Sequence, residues 1–255
     1  YLVLYRVDGR LTVRIGIGGW TYEPWRGVFY PDGLVQRREL EYAAQHLTAI
    51  EINATFYGRQ KPASWRKWGE AVPEGFHFTV KASRYSTARK VLAEAADSIE
   101  KFLNQGFTEL GDKLGPILWQ FAPTKHFERD DFARFLDLIP DSQDGVALRH
   151  ALEIRHESFE DPTFFELART RNMAVVFADS DEYPCIDEAT ADFSYARLQR
   201  TEESVETGYD DKALDAWADK ARGWSKGGRD AYVFFIAGAK VRNPTAARML
   251  IKRMI

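Results

Sequence analysis

The sequence has few residues of the kinds that crosslink a chain or hold a transition metal. Only one of the 255 residues is a cysteine, Cys185, so a disulfide framework and a multi-cysteine zinc site are excluded. The five histidines show no ligand spacing such as H-x-x-x-H, which argues against a zinc cluster, whereas a single Mg²⁺ held by carboxylates stays open. We therefore expect a reducing, cytoplasmic setting and no dedicated metal ligands.

Long apolar runs and an excess of basic residues are also absent. No run approaches the ~18 apolar residues of a membrane span, and residues 1–16 lack a signal-peptide layout, so we expect no membrane partner. The 35 Lys and Arg residues against 38 Asp and Glu give a net charge of −3, which disfavours a dedicated nucleic-acid binder but leaves a local basic pocket open. Nothing in the sequence predicts an oligomeric state.

What the sequence does contain is a regular alternation of strand-like and helix-like segments, with no linker between domains. The strand-like segments are residues 13–18, 49–53, 76–82, 116–121, 152–155, 173–178, 193–198 and 232–236. Eight such units of roughly 32 residues predict an α/β fold, a parallel (β/α)8 barrel of the TIM type. We expect one domain over residues 1–255, with residues 1–12 as an N-terminal extension and a shortened connection, one or two helical turns at most, between strands six and seven.

A doubly wound open sheet is the alternative fold. Such sheets often carry a glycine-rich phosphate turn after the first strand. The nearest candidate, Gly16-Ile17-Gly18-Gly19, lacks the third spaced glycine, so the barrel is favoured.

Ionisable and amide residues collect at the predicted strand ends, where barrels place their active sites. Alternation along a strand puts Glu51 with Asn53 on one face and Glu153 with Arg155 on another. Three carboxylates would then face three cations at similar depth: Glu51, Glu153 and Asp179 against Lys81, Arg155 and Arg197. Two interpretations stay open: an interior ion-pair network that closes the barrel, or a site where a carboxylate moves protons and the cations hold an anionic group.

Aromatic residues cluster after the first two strands. Trp20, Trp25 and Tyr57 would wall a pocket or stack on a base or a sugar. The alternative is a packed lid beneath the first two loops.

Several ordered strings resemble one known family. They are GWTY at 19–22, WRG at 25–27, FYPDGL at 29–34, EINATFY at 51–57, FTVK at 78–81, LGPILWQF at 114–121, EIRHESF at 153–159 and TADFSYARL at 190–198. Together they resemble the DUF72, or YecE-like, family, which implies a TIM-type barrel but no known reaction. The family's polar strand ends correspond to Glu51, Asn53, Lys81, Gln120, Glu153, Arg155, Asp179 and Arg197.

Two departures from the family pattern bear on function. The resemblance implies a histidine after strand seven, where this chain has Gln199, and an Asn-Asn-Asp type run after strand eight, where it reads Ile236-Ala237-Gly238-Ala239. Loss of that run would alter or abolish an activity to which the run contributes.

The leading hypothesis is an enzyme, a hydrolase or lyase, that acts on a small anionic or phosphorylated substrate. Its catalytic residues would be Glu153, Glu51 and Lys81, with no cofactor predicted. Its substrate contacts would be Asn53, Tyr57, Gln120, Arg155, Asp179, Arg197, Trp20 and Trp25. The alternatives are a barrel that binds or cleaves nucleic-acid phosphodiesters, loosely like endonuclease IV, and a non-catalytic ligand-binding barrel.

Overall fold

The computed structural model describes residues 6–7 and 10–255, with side chains from Thr12 onward. Its central feature is a sheet of parallel strands. The strands are β1 (Val13–Gly18), β2 (Ala49–Ile52), β3 (His77–Lys81), β4 (Leu114–Gln120), β5 (His150–Glu153), β6 (Ala174–Val175 and Phe177–Asp179), β7 (Phe193–Leu198) and β8 (Asp230–Phe235).

The sheet closes into a barrel because its two ends are one interrupted strand. Hydrogen-bonded neighbours run from Ala174–Val175 through β5, β4, β3, β2, β1, β8 and β7 to Phe177–Asp179. Only Val176 separates the two end segments, and its N–H donates to the Leu152 carbonyl at 3.0 Å. The predicted parallel barrel is confirmed, and the open-sheet alternative is wrong.

Helices of the described chain surround the strands. They are α1 (Glu39–His46), α2 (Ala54–Tyr57), α3 (Pro62–Glu70), α4 (Arg84–Thr87), α5 (Ala96–Leu103), α6 (Arg129–Asp137), α7 (Pro162–Thr170), α8 (Asp211–Trp224) and α9 (Asn243–Arg253). Short 3-10 turns add Glu23–Trp25, Gln36–Arg38, Leu92–Glu94, Phe107–Lys113, Glu157–Phe159, Lys226–Gly228 and Lys240–Arg242. None of the described helices combines the length and apolar character needed to cross a membrane.

The connection between β6 and β7 is short, as expected, but residues 180–192 form no helical turn. The Thr190 hydroxyl holds the returning chain against the barrel wall by donating to the Met173 carbonyl at 2.7 Å and accepting from the Val175 N–H at 2.9 Å. The predicted extension over residues 1–12 falls partly on residues 1–5 and 8–9, which lie outside the described residues. Residues Arg6–Val7 and Arg10–Leu11 pair as a short antiparallel ladder, as do Ser142–Gln143 and Val146–Ala147.

The core has two layers because alternate strand residues face opposite sides of the barrel wall. One layer lies between the strands and the helices. The other fills the lumen with large side chains that include Phe193, Tyr195, Tyr232 and Phe234. A filled lumen has no channel, so a ligand can meet lumen-facing polar groups only at the ends of the barrel, and barrels of this type place their sites at the carboxyl ends of the strands.

Candidate functional site

Arg197 joins two carboxylates across the carboxyl end of the barrel, which we call the mouth. Its Nε and Nη2 donate to Glu51 at 3.2 and 3.0 Å, and its Nη1 donates to Glu153 at 2.6 Å. These residues come from β7, β2 and β5, which are not neighbours in the sheet. The ion pairs therefore span the mouth.

These charges are removed from water, and their pKa values reflect it. Glu51 and Arg197 are 0% and 2% exposed, and Glu153 is 1% exposed. Burial alone would raise the pKa of Glu153, but Arg197 and Arg155 hold it below its usual value. Burial works against the charge of Arg197, yet Glu153 and Glu51 raise its pKa. Glu153 is therefore an ionised carboxylate at neutral pH.

Two more side chains occupy the remaining acceptor sites of Glu153. Gln120 donates its Nε2 to one carboxylate oxygen at 2.8 Å. Arg155 donates its Nε and Nη2 to the other oxygen, both at 3.1 Å, and lies 4.2 Å from the ring centre of Tyr183. Arg155 is the more accessible of these cations, since its side chain is 19% exposed against 3% for Arg197.

Tyr195 hydrogen-bonds to Glu51, and Thr79 contacts Tyr195. Neither residue was among the site residues predicted from the sequence. The Tyr195 hydroxyl donates to Glu51 at 2.7 Å and lies 3.0 Å from the Thr79 hydroxyl. Each stands two residues before a predicted site residue on the same strand, Arg197 and Lys81 respectively. If the two-residue alternation is extended by one step toward the start of each strand, it identifies both residues.

Lys81 ends β3 and brings a cation into the mouth that no carboxylate neutralises directly. Its amino group lies 4.1 Å from the ring centre of Phe56. Within the described part of the chain, this amino group makes no hydrogen bond and no ion pair. Burial, reinforced by Arg197, lowers the pKa of Lys81 to about 8, although Glu51 and Glu153 act in the opposite direction.

Asp179 lies outside the mouth. It has the same parity along β6 as Val175 and Phe177, which pack in the outer layer. Its carboxylate pairs with Arg200 and accepts from the Tyr209 hydroxyl at 2.8 Å. The expectation that Asp179 faces the other charges at similar depth is therefore corrected. Arg200 and Tyr209 gave no signal in the sequence, because they lie beyond the end of β7, where alternation stops.

With Asp179 set apart, the charges of the mouth do not cancel. Three cations, Lys81, Arg155 and Arg197, stand against the two carboxylates Glu51 and Glu153. Both carboxylates already accept hydrogen bonds from guanidinium groups, so a Mg²⁺ ion would have to displace them. The described residues contain no group of three or more His, Cys, Asp or Glu side chains arranged to hold a metal ion.

The alternation predicted that Asn53 shares the strand face of Glu51, and this expectation is corrected by the structure. β2 ends at Ile52, and Asn53 has φ −95° and ψ −14° ahead of α2. Its Nδ2 donates to the Glu51 carbonyl at 3.3 Å and lies 2.9 Å from where a side chain on Gly18 would begin. Asn53 therefore packs over the end of β1 and fixes the turn into α2.

Of the two tryptophans of the first loop, Trp25 belongs to the core and the half-buried Trp20 packs against it. Trp25 is 1% exposed and donates its Nε1 to the Lys240 carbonyl at 2.9 Å. Trp20 meets Trp68 edge-on with ring centres 5.1 Å apart and also contacts Phe78 in the outer layer. The prediction that Trp25 contacts a ligand is therefore wrong, because packing encloses its ring. For this pair the packed-lid alternative describes the structure.

Tyr57 lies at the rim of the mouth and is 69% exposed. A second exposed ring, Tyr85, comes from α4, the short helix that follows β3. The Arg84 guanidinium lies 5.9 Å from the centre of the Tyr57 ring and 5.2 Å from that of Tyr85. These three side chains form the aromatic rim, beside a cavity of about 400 Å³ that Arg59 and Arg89 also line.

The two departures from the family pattern lie together in space. A Cβ on Gly238 would stand 2.8 Å from the Gln199 carbonyl oxygen and 2.6 Å from the Thr201 hydroxyl. The Nε2 of Gln199 is buried without an acceptor among the described residues. The two positions that depart from the family pattern are therefore neighbours at the ends of β7 and β8.

Comparison with protein families and curated proteins gives two matches. Residues 14–255 match the model of a family described as protein of unknown function DUF72. The UPF0759 protein YunF of Bacillus subtilis (strain 168) is 27% identical over 159 residues, which are 60% of this chain. That alignment covers 54% of the relative, so the chain spans about half the length of the curated protein it matches.

Solved structures share the fold. A DUF72 family protein of Thermotoga maritima MSB8 superposes with a TM-score of 0.75 at 23% identity, over 95% of this chain and 98% of that one. One from Enterococcus faecalis V583 gives 0.73 at 17% identity over 95% and 94%. A xylose isomerase domain containing protein of Salmonella typhimurium LT2 gives 0.53 at 10% identity over 94% and 95%. The structural likeness shows a TIM-barrel fold, and by its match over residues 14–255 the chain belongs to the DUF72 family of proteins of unknown function.

Proposed function

We propose that this protein is an enzyme that acts on a small anionic substrate at the mouth of the barrel, with Lys81 as the group that moves the proton. The observation that carries the proposal is that the amino group of Lys81 has no hydrogen bond or ion pair among the described residues. The three cations of the mouth also exceed its two carboxylates by one positive charge. An anion bound there would balance that charge. Arg155, the accessible guanidinium, is the group best able to hold the anion.

The two glutamates suit a supporting role better than proton transfer. Their oxygens accept from Arg197, Arg155, Gln120 and Tyr195. Glu153, whose pKa is lowered, is a weak base, and at neutral pH it has no proton to give. Glu51 and Glu153 therefore fix Arg197 and favour the protonated form of Lys81 against the effect of burial.

The pKa of Lys81, about 8, suits acid–base catalysis near neutral pH. In that range the amine exists in both protonation states, so it can take a proton from a substrate and return it. An amine base next to an anion-binding guanidinium favours proton removal beside a carboxylate or phosphate group. Of the two reaction classes considered, this chemistry is closer to a lyase than to a hydrolase.

A substrate screen tests the proposal. The parent and Lys81→Met are incubated with a mixture of phosphorylated and carboxylated metabolites, and consumption is followed by mass spectrometry. We expect the parent to consume at least one anionic compound and Lys81→Met to consume it at least about 100-fold more slowly, the scale of general-base catalysis. Lys240→Met is the matched control, because Lys240 also lies over aromatic rings, Tyr22 and Trp25, but is exposed and pairs with nothing in the mouth.

Binding and turnover are separated by a second measurement. Inorganic phosphate should raise the melting temperature of the parent and of Lys240→Met, and much less that of Arg155→Met. Stabilisation by phosphate without consumption of any compound would overturn the enzyme and favour the non-catalytic binding barrel. Equal consumption by the parent and Lys81→Met would remove Lys81 from the mechanism.

The aromatic rim favours one second candidate, binding of single-stranded nucleic acid. Bases stack on exposed rings such as Tyr57 and Tyr85, and a guanidinium such as that of Arg84 binds phosphate. Fluorescence anisotropy of a labelled oligonucleotide at low and moderate salt measures this binding. Affinity that falls with salt and is lost in Tyr57→Ala and Tyr85→Ala would support the candidate. Absence of binding at low salt would eliminate it.

A further inference from the structure

We infer that Lys81 is an amine nucleophile that forms an imine with a carbonyl compound bearing an anionic group, a carboxylate or a phosphate. The inference rests on the proposed function, because it assigns a substrate class and a covalent role to the same site. It goes beyond proton transfer, since the lysine nitrogen would become bonded to substrate carbon.

The first argument is the position of the amino group. Lys81 is 8% exposed, and its Nζ lies above the Phe56 ring with no carboxylate paired to it. Lys125 shows the contrasting arrangement, since its Nζ bonds Asp131 at 2.8 Å, which favours the protonated amine. Only an unprotonated amine attacks a carbonyl carbon, so a buried and unpaired lysine at a mouth is equipped for the attack.

The second argument is the set of charges around that nitrogen. Arg155, on the loop after β5, presents a guanidinium to the anionic group of the substrate. Glu51 on β2 and Glu153 on β5 carry the negative charge that stabilises a protonated imine. Arg197 on β7, held by both glutamates, repels a proton on the free amine. Burial and Arg197 together therefore leave part of the Lys81 amine unprotonated and able to attack, and the two carboxylates that partly offset them remain beside the imine cation once it has formed.

The step balances without a further reactant. The Lys81 nitrogen attacks the carbonyl carbon, a C–N bond forms and the carbonyl oxygen takes up a proton. The amine loses its protons to that oxygen by way of solvent, and the C–O bond breaks with release of one water molecule. The product is a C=N bond that, once protonated, withdraws electrons from the adjacent carbon. Such an electron sink assists lyase-type cleavage or proton removal at that carbon.

Lys240 provides the internal control. Its Nζ lies 4.1 Å from the Tyr22 ring centre, the same distance that Lys81 keeps from Phe56, and burial lowers its pKa as well. It differs in being an exposed residue on the turn after β8, where burial is the one cause that shifts its pKa and neither Arg155 nor a glutamate contributes. If a carbonyl compound reacts faster with Lys81 than with Lys240, the difference is therefore caused by the surroundings of Lys81 in the mouth and not by a general reactivity of lysines that lie over aromatic rings.

The experiment uses glyoxylate and sodium cyanoborohydride, which converts an imine into a stable carboxymethyl amine. Peptide mapping then compares the labelling of Lys81 and Lys240 in the parent. We expect Lys81 to be labelled at least about tenfold faster, at a rate that rises with pH up to about 8. With glycolaldehyde, which is uncharged, or in Arg155→Met, the preference should fall several-fold.

The two proposals fail in different ways. Equal labelling of Lys81 and Lys240 overturns the imine. If phosphate nevertheless stabilises the parent much more than Arg155→Met, and Lys81→Met loses turnover, the proposed acid–base enzyme stands. If labelling shows no preference and phosphate stabilises neither protein, both proposals are overturned. Preferred labelling of Lys81 that phosphate suppresses supports both.

Discussion

Arg197 is the residue on which the charged mouth depends, because it is the shared partner of both buried glutamates. Arg197→Met would leave Glu51 without its guanidinium and deprive Glu153 of its shortest ion pair. We expect a loss of roughly 3–5 kcal/mol in the free energy of unfolding, the range for breaking a buried pair. Arg155→Met should cost about 1 kcal/mol or less, because Glu153 keeps Arg197 and Gln120. Urea unfolding of both variants checks the order, and equal losses would contradict it.

Lys81 should reduce the stability of the fold at neutral pH. Its pKa is about 8 in the folded chain against an ordinary value of 10.5, so folding disfavours the charged amine. Below pH 8 both states hold the proton and the folded state bears the full penalty, at most about 3 kcal/mol. Between pH 8 and 10.5 the folded chain releases the proton first, so its stability rises with pH.

Lys81→Met is therefore expected to unfold at higher urea than the parent at pH 7. The difference should narrow at pH 9.5, where the parent has lost most of the penalty. Lys240→Met serves as the control and should shift little at either pH. A variant less stable than the parent at pH 7 would show that Lys81 is mainly a structural residue.

The sequence predicted the residues that meet in the mouth better than their geometry. Glu51, Lys81, Gln120, Glu153 and Arg197 lie at the strand ends where the sequence predicted polar residues, and the two-residue period of the strands turns all five toward the lumen. Residues beyond the strand ends escaped that rule, because the backbone turns there. Asn53 folds over β1, and Arg155 reaches back to the carboxylate two positions before it.

At the scale of single elements, β1 can close against β2 only because Gly16 has no side chain. A Cβ at Gly16 would lie 1.9 Å from the Ala49 carbonyl oxygen and 3.2 Å from the Phe234 ring. Gly16→Ala must therefore separate two paired strands, and we expect it to cost more than about 4 kcal/mol. Its solubility and urea midpoint provide the measurement.

Gly69→Ala provides the matched comparison. Gly69 lies within α3, and a Cβ there would meet nothing closer than a Leu110 methyl group at 3.7 Å, an ordinary contact. Because alanine favours a helix by up to about 1 kcal/mol over glycine, this variant should be more stable than the parent. If Gly16→Ala and Gly69→Ala have the same stability, the close approach of β1 and β2 is not the reason that position 16 requires glycine.

The elements themselves follow from periodicity wherever packing is regular. β1 and β7 agree with the predicted bounds residue for residue, because each is a short, mostly apolar run that is followed directly by a glycine or polar residue. The interruption of β6 at Val176 and the missing helix over residues 180–192 were not predictable in the same way. Both depend on how the closing strand meets β5 and β7, a long-range contact that local patterns do not record.

At the scale of the whole molecule, buried charge is placed at both ends of the barrel. Below the lumen, Asp230 pairs with Arg14 at 3.1 Å and with Arg149 at 2.8 Å. Above it, Arg197 joins the two glutamates. Among the described residues, the cations of the lower end pair with the Asp230 carboxylate beneath a layer of aromatic rings, whereas the upper end leaves Lys81 unpaired. This asymmetry, together with the position of the strand ends, is the physical reason to seek the reaction at the upper end alone.

Acid unfolding should separate two buried groups by the pH at which each acts. His150 accepts from Trp119 Nε1 at Nδ1, at 3.1 Å, which leaves Nε2 to donate to the Pro140 carbonyl at 3.0 Å. Burial lowers its pKa to about 4 from 6.5, so the unfolded chain takes up this proton first as the pH falls. Its contribution, about 3 kcal/mol, is therefore lost between pH 6.5 and 4.

Glu153 acts in a lower window. Its pKa is lowered in the folded chain, so its contribution is complete above the ordinary value of 4.5 and is lost as the pH falls through the folded value. We expect the stability difference between the parent and His150→Gln to shrink from pH 6.5 to 4. The difference between the parent and Glu153→Gln should stay constant down to about pH 5 and shrink only below it. Urea unfolding at pH 7, 5.5 and 4 measures both differences. If the parent instead gains stability relative to Glu153→Gln as the pH falls from 7 to 5.5, the folded carboxylate takes up a proton near neutrality, and proton transfer in the mouth would then be assigned to Glu153 instead of Lys81.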